Sequence, residues 1–369
     1  MNDFQARIHK LQTTMQAQGV ALTLLAGTDQ MRYLSGWREG GHERFVGLFV
    51  PAQGEPAFVV PAMNAPQAQK TPLGVSHVRG WEDQNGWHPD AKALFAEYAI
   101  GEGATVLVDD ELLSVHLLGL QSLFPSLHFA PAGDLMASLR QSKTPAEIAN
   151  MDEAARLIDA VFEEALGQLR EGITELELAE FVLSAIRAKG SAPSFDPLIC
   201  FGANCALPHH HTGNTRLQKG DTVIIDIGCL AEHYASDITR TVCFGTPRDP
   251  DVAKVYQIVF AAHWAARNHA APGITCEAVD AAAREVITKA GYGEAFLHRT
   301  GHGIGISTHE PPYIVAGNNL PLQEGMCFSV EPGIYLAGRF GVRIENIVTV
   351  INDGVRSVNA DEPAEIRIV

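Results

Sequence analysis

The tripeptide Gly-Ile-Thr occurs twice, about one hundred residues apart, in GITELELAEFV from Gly172 and in PGITCEAVDAAAREVITKAG from Pro272. In the first copy Thr174 stands three residues before Glu177, the spacing of a capping box, in which two otherwise unpaired helix-end N–H groups are satisfied reciprocally. The second copy repeats the same helix start at Thr275. Each copy follows a long amphipathic segment, at about 145–170 and 251–270, and precedes strand-like sequence carrying histidine or acidic residues. A supersecondary unit that recurs at fixed spacing implies an internal repeat. The chain is therefore expected to place two helix-pair-plus-sheet units in one domain.

The first unit opens at SKTPAEIANMDEAARLIDAVFEEAL, where Thr144 caps, Pro145 takes the first helical position and Glu147 completes a capping box. A domain of residues 140–369 follows, and residues 1–139 form a separate one, a division that suits a chain of 369 residues. In the N-terminal part Phe4, Ile8, Leu11 and Met15 recur at helical spacing, and ALTLLAG, FVGLFV, AFVVPA and ATVLVDD read as short strands, with PAQGEP as a turn between two of them. This is an α/β pattern without a catalytic cluster. Trp81, Trp87, His88 and Asp90 in GWEDQNGWHPD read as loop residues, placed to reach a neighbouring subunit.

A net charge of −16 argues against a nucleic-acid or anionic-membrane partner, because phosphates repel such a field, and it makes the chain a plausible sink for cations. The cysteines, Cys200, Cys205, Cys229, Cys243, Cys276 and Cys327, form no CxxC pair, so free buried thiols are expected. No apolar run approaches the roughly 20 residues that cross a bilayer, and the first twenty residues lack a basic-then-apolar leader pattern. A cytoplasmic location is the expectation.

The acids collect in the repeat. GDTVIIDIGCLAEHYASDITRTVCF reads as a hairpin in which Asp226 ends one apolar run and Asp237 begins the next. MCFSVEPGIY puts Glu331 at the end of an apolar strand, and VRIENIVTV reads as one strand with Arg343 and Glu345 on the same face. TGHGIGISTHE adds His302 and His309 among glycines, which are expected to let the backbone come close to a bound ion. Four buried carboxylates would repel one another unless cations neutralised them, and two divalent ions carry the matching charge. Oxygen-rich ligation with one imidazole suits manganese, cobalt, iron or zinc, and a pair of such ions activates water and polarises a carbonyl, the logic of metal-dependent peptide hydrolysis.

The ordered motifs IDIG, SDITRT, GHGIG, VEPG and RIEN resemble those of the pita-bread metallopeptidases, which include aminopeptidase P, prolidase and methionine aminopeptidase. The resemblance covers roughly residues 140–369 and implies an α+β chain, an N-terminal α/β domain followed by a pita-bread domain whose pseudo-two-fold antiparallel sheet is covered by helices. It implies metal ligands at Asp226, Asp237, His302, Glu331 and Glu345, with Asp237 and Glu345 bridging two ions, manganese first among the expected metals. Glu331 would also serve as general base. His209, His298 and His309 would face the substrate, with His210 and His211 as alternatives to His209, and Arg343 would hold the pocket or meet the substrate unless it forms a structural ion pair.

These features imply an Xaa-Pro peptidase acting on short proline-containing peptides, with a homodimer as the expected assembly. Many prolidases carry an arginine four residues after the His309-type histidine to clamp a dipeptide carboxylate, and this chain has Tyr313 there. Arg339 and Arg343 are candidate substitutes; failing them, an aminopeptidase P acting on longer peptides is the alternative. Methionine aminopeptidases usually lack the large leading domain. Creatinase-like enzymes and non-catalytic binding modules of the same fold lose the ligand residues, all five of which are present here.

Overall fold

A computed structural model describes residues 2–369. The chain forms two compact units, Met1–Arg140 and Gln141–Val369.

In the first unit, helix α1 (Asp3–Gln18) begins at an Asn2 capping box and ends on Gly19 in the left-handed conformation, where a side chain would be strained. It buries Ile8, Leu11 and Met15, the stripe its periodicity dictates. Then come β1 (Val20–Ala26), α2 (Asp29–Ser35), β2 (Gly47–Pro51), β3 (Ala57–Pro61), α3 (Ala65–Ala68), β4 (His77–Trp81), α4 (His88–Glu97), β5 (Thr105–Val108), α5 (Ser114–Leu123), β6 (His128–Pro131) and α6 (Gly133–Arg140). The strands make one mixed sheet in the order β4-β3-β2-β1-β5-β6, antiparallel at β1–β2–β3 and parallel elsewhere. Strands β2 and β3 are buried throughout, hence their unbroken apolar runs. Trp81 and Trp87 are core residues rather than loop contacts. Trp87 stacks on Phe45 at 4.1 Å, and the Trp81 indole donates to the Phe45 carbonyl at 3.0 Å. Burial of both rings outweighs the turn-rich sequence around them.

The second unit is built twice. The first half comprises α7 (Pro145–Leu166), α8 (Glu175–Ala188), β7 (Leu198–Phe201), β8 (Thr222–Ile227), the small ribbon β9 (Leu230–Ala231) and β10 (Tyr234–Ala235), and β11 (Ile238–Cys243). The second comprises α9 (Val252–His269), α10 (Cys276–Lys289), β12 (Gly301–Gly303), β13 (Glu310–Ile314), β14 (Cys327–Val330), β15 (Gly333–Leu336), β16 (Phe340–Arg343), β17 (Asn346–Ile351), β18 (Gly354–Ser357) and β19 (Arg367–Ile368). The capping boxes at Thr144 and Thr174 form, and Thr275 caps α10 through the Ala278 N–H. Each such cap is worth about 1 kcal/mol.

Each half has its own core. Helices α7 and α8 pack Ile158, Phe162, Val182 and Ile186 against Ile199, Val223, Ile225 and Val242 of a sheet ordered β19-β11-β8-β7. Helices α9 and α10 pack Tyr256, Val259, Val279 and Ile287 with Phe328, Val342 and Val348; β14 and β17 belong to a sheet ordered β13-β12-β14-β17-β18. This is the pita-bread architecture. The proline pair Pro311 and Pro312 lies on the edge strand β13, where a missing N–H donor is tolerated.

VRIENIVTV is not one strand. β16 pairs with β15 in a separate hairpin, β17 pairs with β14, and residues 344–345 pass from one to the other. At that crossing the Glu345 N–H donates to the Thr239 carbonyl at 3.0 Å, joining the two halves backbone to backbone. Side-chain alternation survives the break, with Val342 and Ile344 in the core and Arg343 and Glu345 on the cavity. The buried Arg240 reinforces the seam, reaching the Glu345 carbonyl, Asn346 Oδ1 at 3.2 Å and Glu362 Oε1 at 2.8 Å.

Candidate active site

A cavity of ≈ 450 Å³ opens along this seam. Its walls include Asp226, Asp237, His302, Glu331 and Glu345, together with His209, His298, His309, Arg299 and Arg343. The five expected ligands, His209, His298, His309 and Arg343 therefore lie on one surface, whereas Arg339, His210 and His211 are not on it.

The carboxylates come from both halves. Asp226 is on β8, Asp237 immediately precedes β11, Glu331 follows β14, and Glu345 sits at the crossing before β17. Thr239 Oγ1 donates to Glu345 Oε2 at 2.7 Å, and Ser329 Oγ donates to Glu331 Oε1 at 3.1 Å. Asp226 Oδ2 accepts from Arg343 at 2.7 Å. The remaining oxygens Asp226 Oδ1 and Asp237 Oδ1 are buried without a hydrogen-bond partner. A buried unpaired oxygen is costly, so such groups call for a ligand.

Burial raises the pKa of all four acids. The neighbouring Glu345 charge adds to the rise at Asp237, and Glu331 adds to that at Glu345. Glu331 is pushed to about 7, burial outweighing the attraction of Arg343.

His302 has the opposite requirement. Its Nδ1 donates to the Gly303 carbonyl at 3.0 Å, which fixes the tautomer and leaves the Nε2 lone pair facing Glu331 Oε1 at 3.4 Å and Asp237 Oδ2 at 3.7 Å. Burial, helped by His309, lowers its pKa to about 3, so the ring is neutral. A neutral imidazole whose far nitrogen is tied to a carbonyl is the form that ligates metal. Asp237, His302 and Glu345 each offer one ligand atom within 4.8 Å of the others. Hard oxygens, one imidazole and two orphaned carboxylate oxygens together fit divalent cations.

The glycines of TGHGIG serve strand packing. None of Gly301, Gly303 or Gly305 has positive φ. A Cβ on Gly301 would lie 1.8 Å from the Ser329 carbonyl oxygen, and one on Gly303 would lie 2.5 Å from the Glu310 carbonyl oxygen. They let β12 fit between its neighbours and so set the position of His302.

The outer ring of residues divides by partner. His298 is held on both sides, Nδ1 to the Arg299 carbonyl and Nε2 to the Tyr335 hydroxyl, each at 2.7 Å, and burial lowers its pKa to about 4. His309 lies 4.0 Å from His302, ring to ring, and burial lowers its pKa too, with Arg299 second. His209 reaches the cavity, whereas His210 is tied to Glu175 at 2.8 Å and His211 is absent from the cavity wall, which separates the three neighbours. Arg343 gives its donors to Asp226, to Thr239 and Tyr335 at 3.0 Å each, and to the Pro208 carbonyl at 3.4 Å. These partners favour the ion pair over direct contact with a substrate.

Thr239 and Tyr335 were not apparent from sequence as site residues. Thr239 follows Asp237 by two, so strand alternation puts it on the same face, and that was the available signal. Tyr335 joins the site through the β15–β16 hairpin, whose register faces Gly333 with Arg343, and the sequence pattern did not show that pairing.

An acid- and histidine-lined cavity at the seam of a pseudo-two-fold sheet, with orphaned oxygens beside a bare imidazole nitrogen, defines a metal-dependent hydrolase of the pita-bread class. The chain belongs to metallopeptidase family M24, whose family model matches residues 149–352, and a creatinase/prolidase N-terminal domain model matches residues 7–142. It is 34% identical to an Xaa-Pro dipeptidase of Lactobacillus helveticus over 95% of each chain. Among solved structures it is similar to a recombinant prolidase from Thermococcus sibiricus (TM-score 0.95, 36% identity, 100% of each chain). It is also similar to the dipeptidase PepE from Mycobacterium ulcerans (TM-score 0.91, 39% identity, 99% of this chain and 98% of that one). The chain is thus a prolidase-like metallo-exopeptidase, and its family implies divalent metal ions.

Proposed function

We propose that this protein is an Xaa-Pro dipeptidase that uses two divalent ions, manganese being the expected pair, to hydrolyse the bond between an N-terminal residue and proline. The observation that carries this is the pair of buried, partnerless oxygens of Asp226 and Asp237 on the cavity that His302 also lines, its Nδ1 tied to the Gly303 carbonyl. Asp226, Asp237, His302, Glu331 and Glu345 are the residues that would hold the ions. Residues 1–139 are assigned as the creatinase/prolidase-like domain and 140–369 as the catalytic domain. A homodimer in the cytoplasm is the proposed working form. No helix among the described residues is long and apolar enough to cross a membrane.

When bound, the ions supply an acidified water and polarise the scissile carbonyl. Glu331 takes the proton of the attacking water, one of its oxygens being oriented by Ser329. His309, which lines the cavity beside His302 and for which no hydrogen bond is found among the described residues, is the histidine free to donate to the developing oxyanion. His298, pinned by Tyr335 and the Arg299 carbonyl, forms a fixed wall for the proline ring. His209, exposed on the cavity wall, is placed to meet the substrate.

A second reading, aminopeptidase P, is favoured by one observation. Beyond Pro208, His209 and His298 an apolar cleft of ≈ 490 Å³ continues outward between the exposed Leu207 and Leu297, with room for residues past the proline. The test uses metal-free protein reconstituted with manganese and offered a Leu-Pro dipeptide and a Leu-Pro-Xaa tripeptide. Preferential dipeptide cleavage, lost on chelation and regained with metal, is expected. Tripeptide preference would make it an aminopeptidase P, and no recovery of activity with manganese or cobalt would sink the enzyme reading.

A further inference from the structure

The cavity holds two guanidiniums in unlike states. Arg343 is buried and committed to Asp226, Thr239, Tyr335 and the Pro208 carbonyl. Arg339 lies outside the cavity, paired with Asp249 at 2.8 Å and Asp251 at 2.7 Å. Neither sequence candidate for recognising a carboxylate is therefore available. Arg299 is different. It lines the cavity three residues before His302, is only half-buried, and its side chain makes no hydrogen bond or ion pair among the described residues. Its guanidinium lies over the Tyr313 ring at 4.4 Å.

Stacking occupies the face of a guanidinium and leaves its edge N–H groups free to bind a carboxylate bidentately. The platform is itself well placed. Tyr313 is paired with His302 across β12–β13, and the Asn318 side chain donates to its carbonyl at 2.6 Å. Arg299 shares the cavity wall with His302, His309 and Glu331, which puts it beside the reacting centre.

The geometry points to Arg299, held on Tyr313, as the residue that binds the free C-terminal carboxylate of a dipeptide substrate. This rests on the proposed peptidase reading and supplies the dipeptide specificity that Tyr313 by itself, with one neutral donor, would not.

The test compares wild type, Arg299→Gln and Tyr313→Ala as full-length, manganese-loaded protein on Leu-Pro, Leu-Pro amide and Asp-Pro. In Arg299→Gln the KM for Leu-Pro, relative to that for the amide, is expected to rise about 10- to 100-fold, the range for losing a charge-assisted bond, with kcat moving less. Tyr313→Ala should move the same ratio part of the way. Calorimetry gives a readout independent of turnover: proline should bind the wild type more tightly than prolinamide, and Arg299→Gln should erase that difference. An unchanged ratio overturns the inference, as does a loss confined to Asp-Pro, which would place the arginine against the first residue's side chain. Failure of the wild type to cleave Leu-Pro or its amide would instead overturn the peptidase reading, leaving the calorimetric comparison to judge Arg299.

Discussion

Thr239→Val is the substitution that isolates how the seam holds its bridging carboxylate. The hydroxyl, with no exposed surface, donates to Glu345 Oε2 at 2.7 Å and accepts from Arg343 Nε at 3.0 Å. Valine has nearly the same shape, so no cavity opens and the cost is polar. Hydrogen bonds to charged groups are worth about 1.5–3 kcal/mol each, and the Arg343 N–H would be left buried without an acceptor. A loss of about 2–4 kcal/mol in the stability of the metal-free second unit is expected, part of one bond being recovered by relaxation. Glu345 would also lose the group that orients it. Removing an outer-shell partner typically costs 10- to 100-fold in metal affinity, or about 1.4–2.8 kcal/mol.

The assay is calorimetric titration of manganese into metal-free wild type, Thr239→Val and Thr239→Ser, with urea unfolding of the same samples. Serine keeps both bonds and loses one methyl, worth about 0.8 kcal/mol, and should bind metal as the wild type does. Unchanged metal affinity in Thr239→Val would refute the reasoning. So would a serine variant as weak as the valine one, since packing of the methyl would then be responsible.

Two further outcomes follow from buried charges elsewhere in the second unit. Lys143 Nζ lies 2.8 Å from Glu310 Oε1 with both side chains nearly inaccessible, so Lys143→Met should destabilise the unit by about 3–5 kcal/mol in urea unfolding, and restoring much of that by adding Glu310→Gln would show that loss of the charge pairing, not of packing, was the cause. His263 donates Nδ1 to the Val330 carbonyl at 3.0 Å, and burial lowers its pKa to about 3. A lowered folded pKa means stability that is full above the unfolded value of about 6.5 and is lost as pH falls from there toward 3, by up to about 1.4 kcal/mol per pH unit. His263→Asn should flatten that slope between pH 6 and pH 4 by about one proton; an unaltered slope would assign the acid sensitivity to other groups.

Local signals read well in this chain because they are short-range. A capping box needs only Thr174 and Glu177, and a buried strand needs only its apolar run, so the helix starts, the strand bearing Asp226 and the strands beside Asp237 and Glu331 were legible. The misreadings arose where the outcome depended on a distant partner. Trp81 and Trp87 sit in turn-like sequence, yet Phe45, some forty residues away, draws both into the core. VRIENIVTV alternates as one strand would, but its halves are claimed by β15 and β14, and no local pattern encodes that competition.

The break has a chemical consequence. A continuous strand would tie Glu345 into a single ladder, whereas at the crossing its N–H is free to bond Thr239 of the other half, and its side chain turns to the shared cavity. The same logic applies on the opposite strand, where Thr239 gives its carbonyl to that N–H and its hydroxyl to the Glu345 carboxylate. The doubly bonded Thr239–Glu345 pair thus lies where the two separately packed cores meet, reinforced by Arg240 and Arg343, and the buried acids come from both sides of it. Repulsion among those acids acts directly across the seam, so cations that neutralise them would also hold the two halves together. On that account chelation should loosen the pairing of Thr239 with Glu345 before it melts either core. Hydrogen exchange would register this as faster exchange at the Glu345 N–H, while amides within β8 and β14 stay protected; uniform loss of protection across both sheets would show that the metals stabilise each half separately instead.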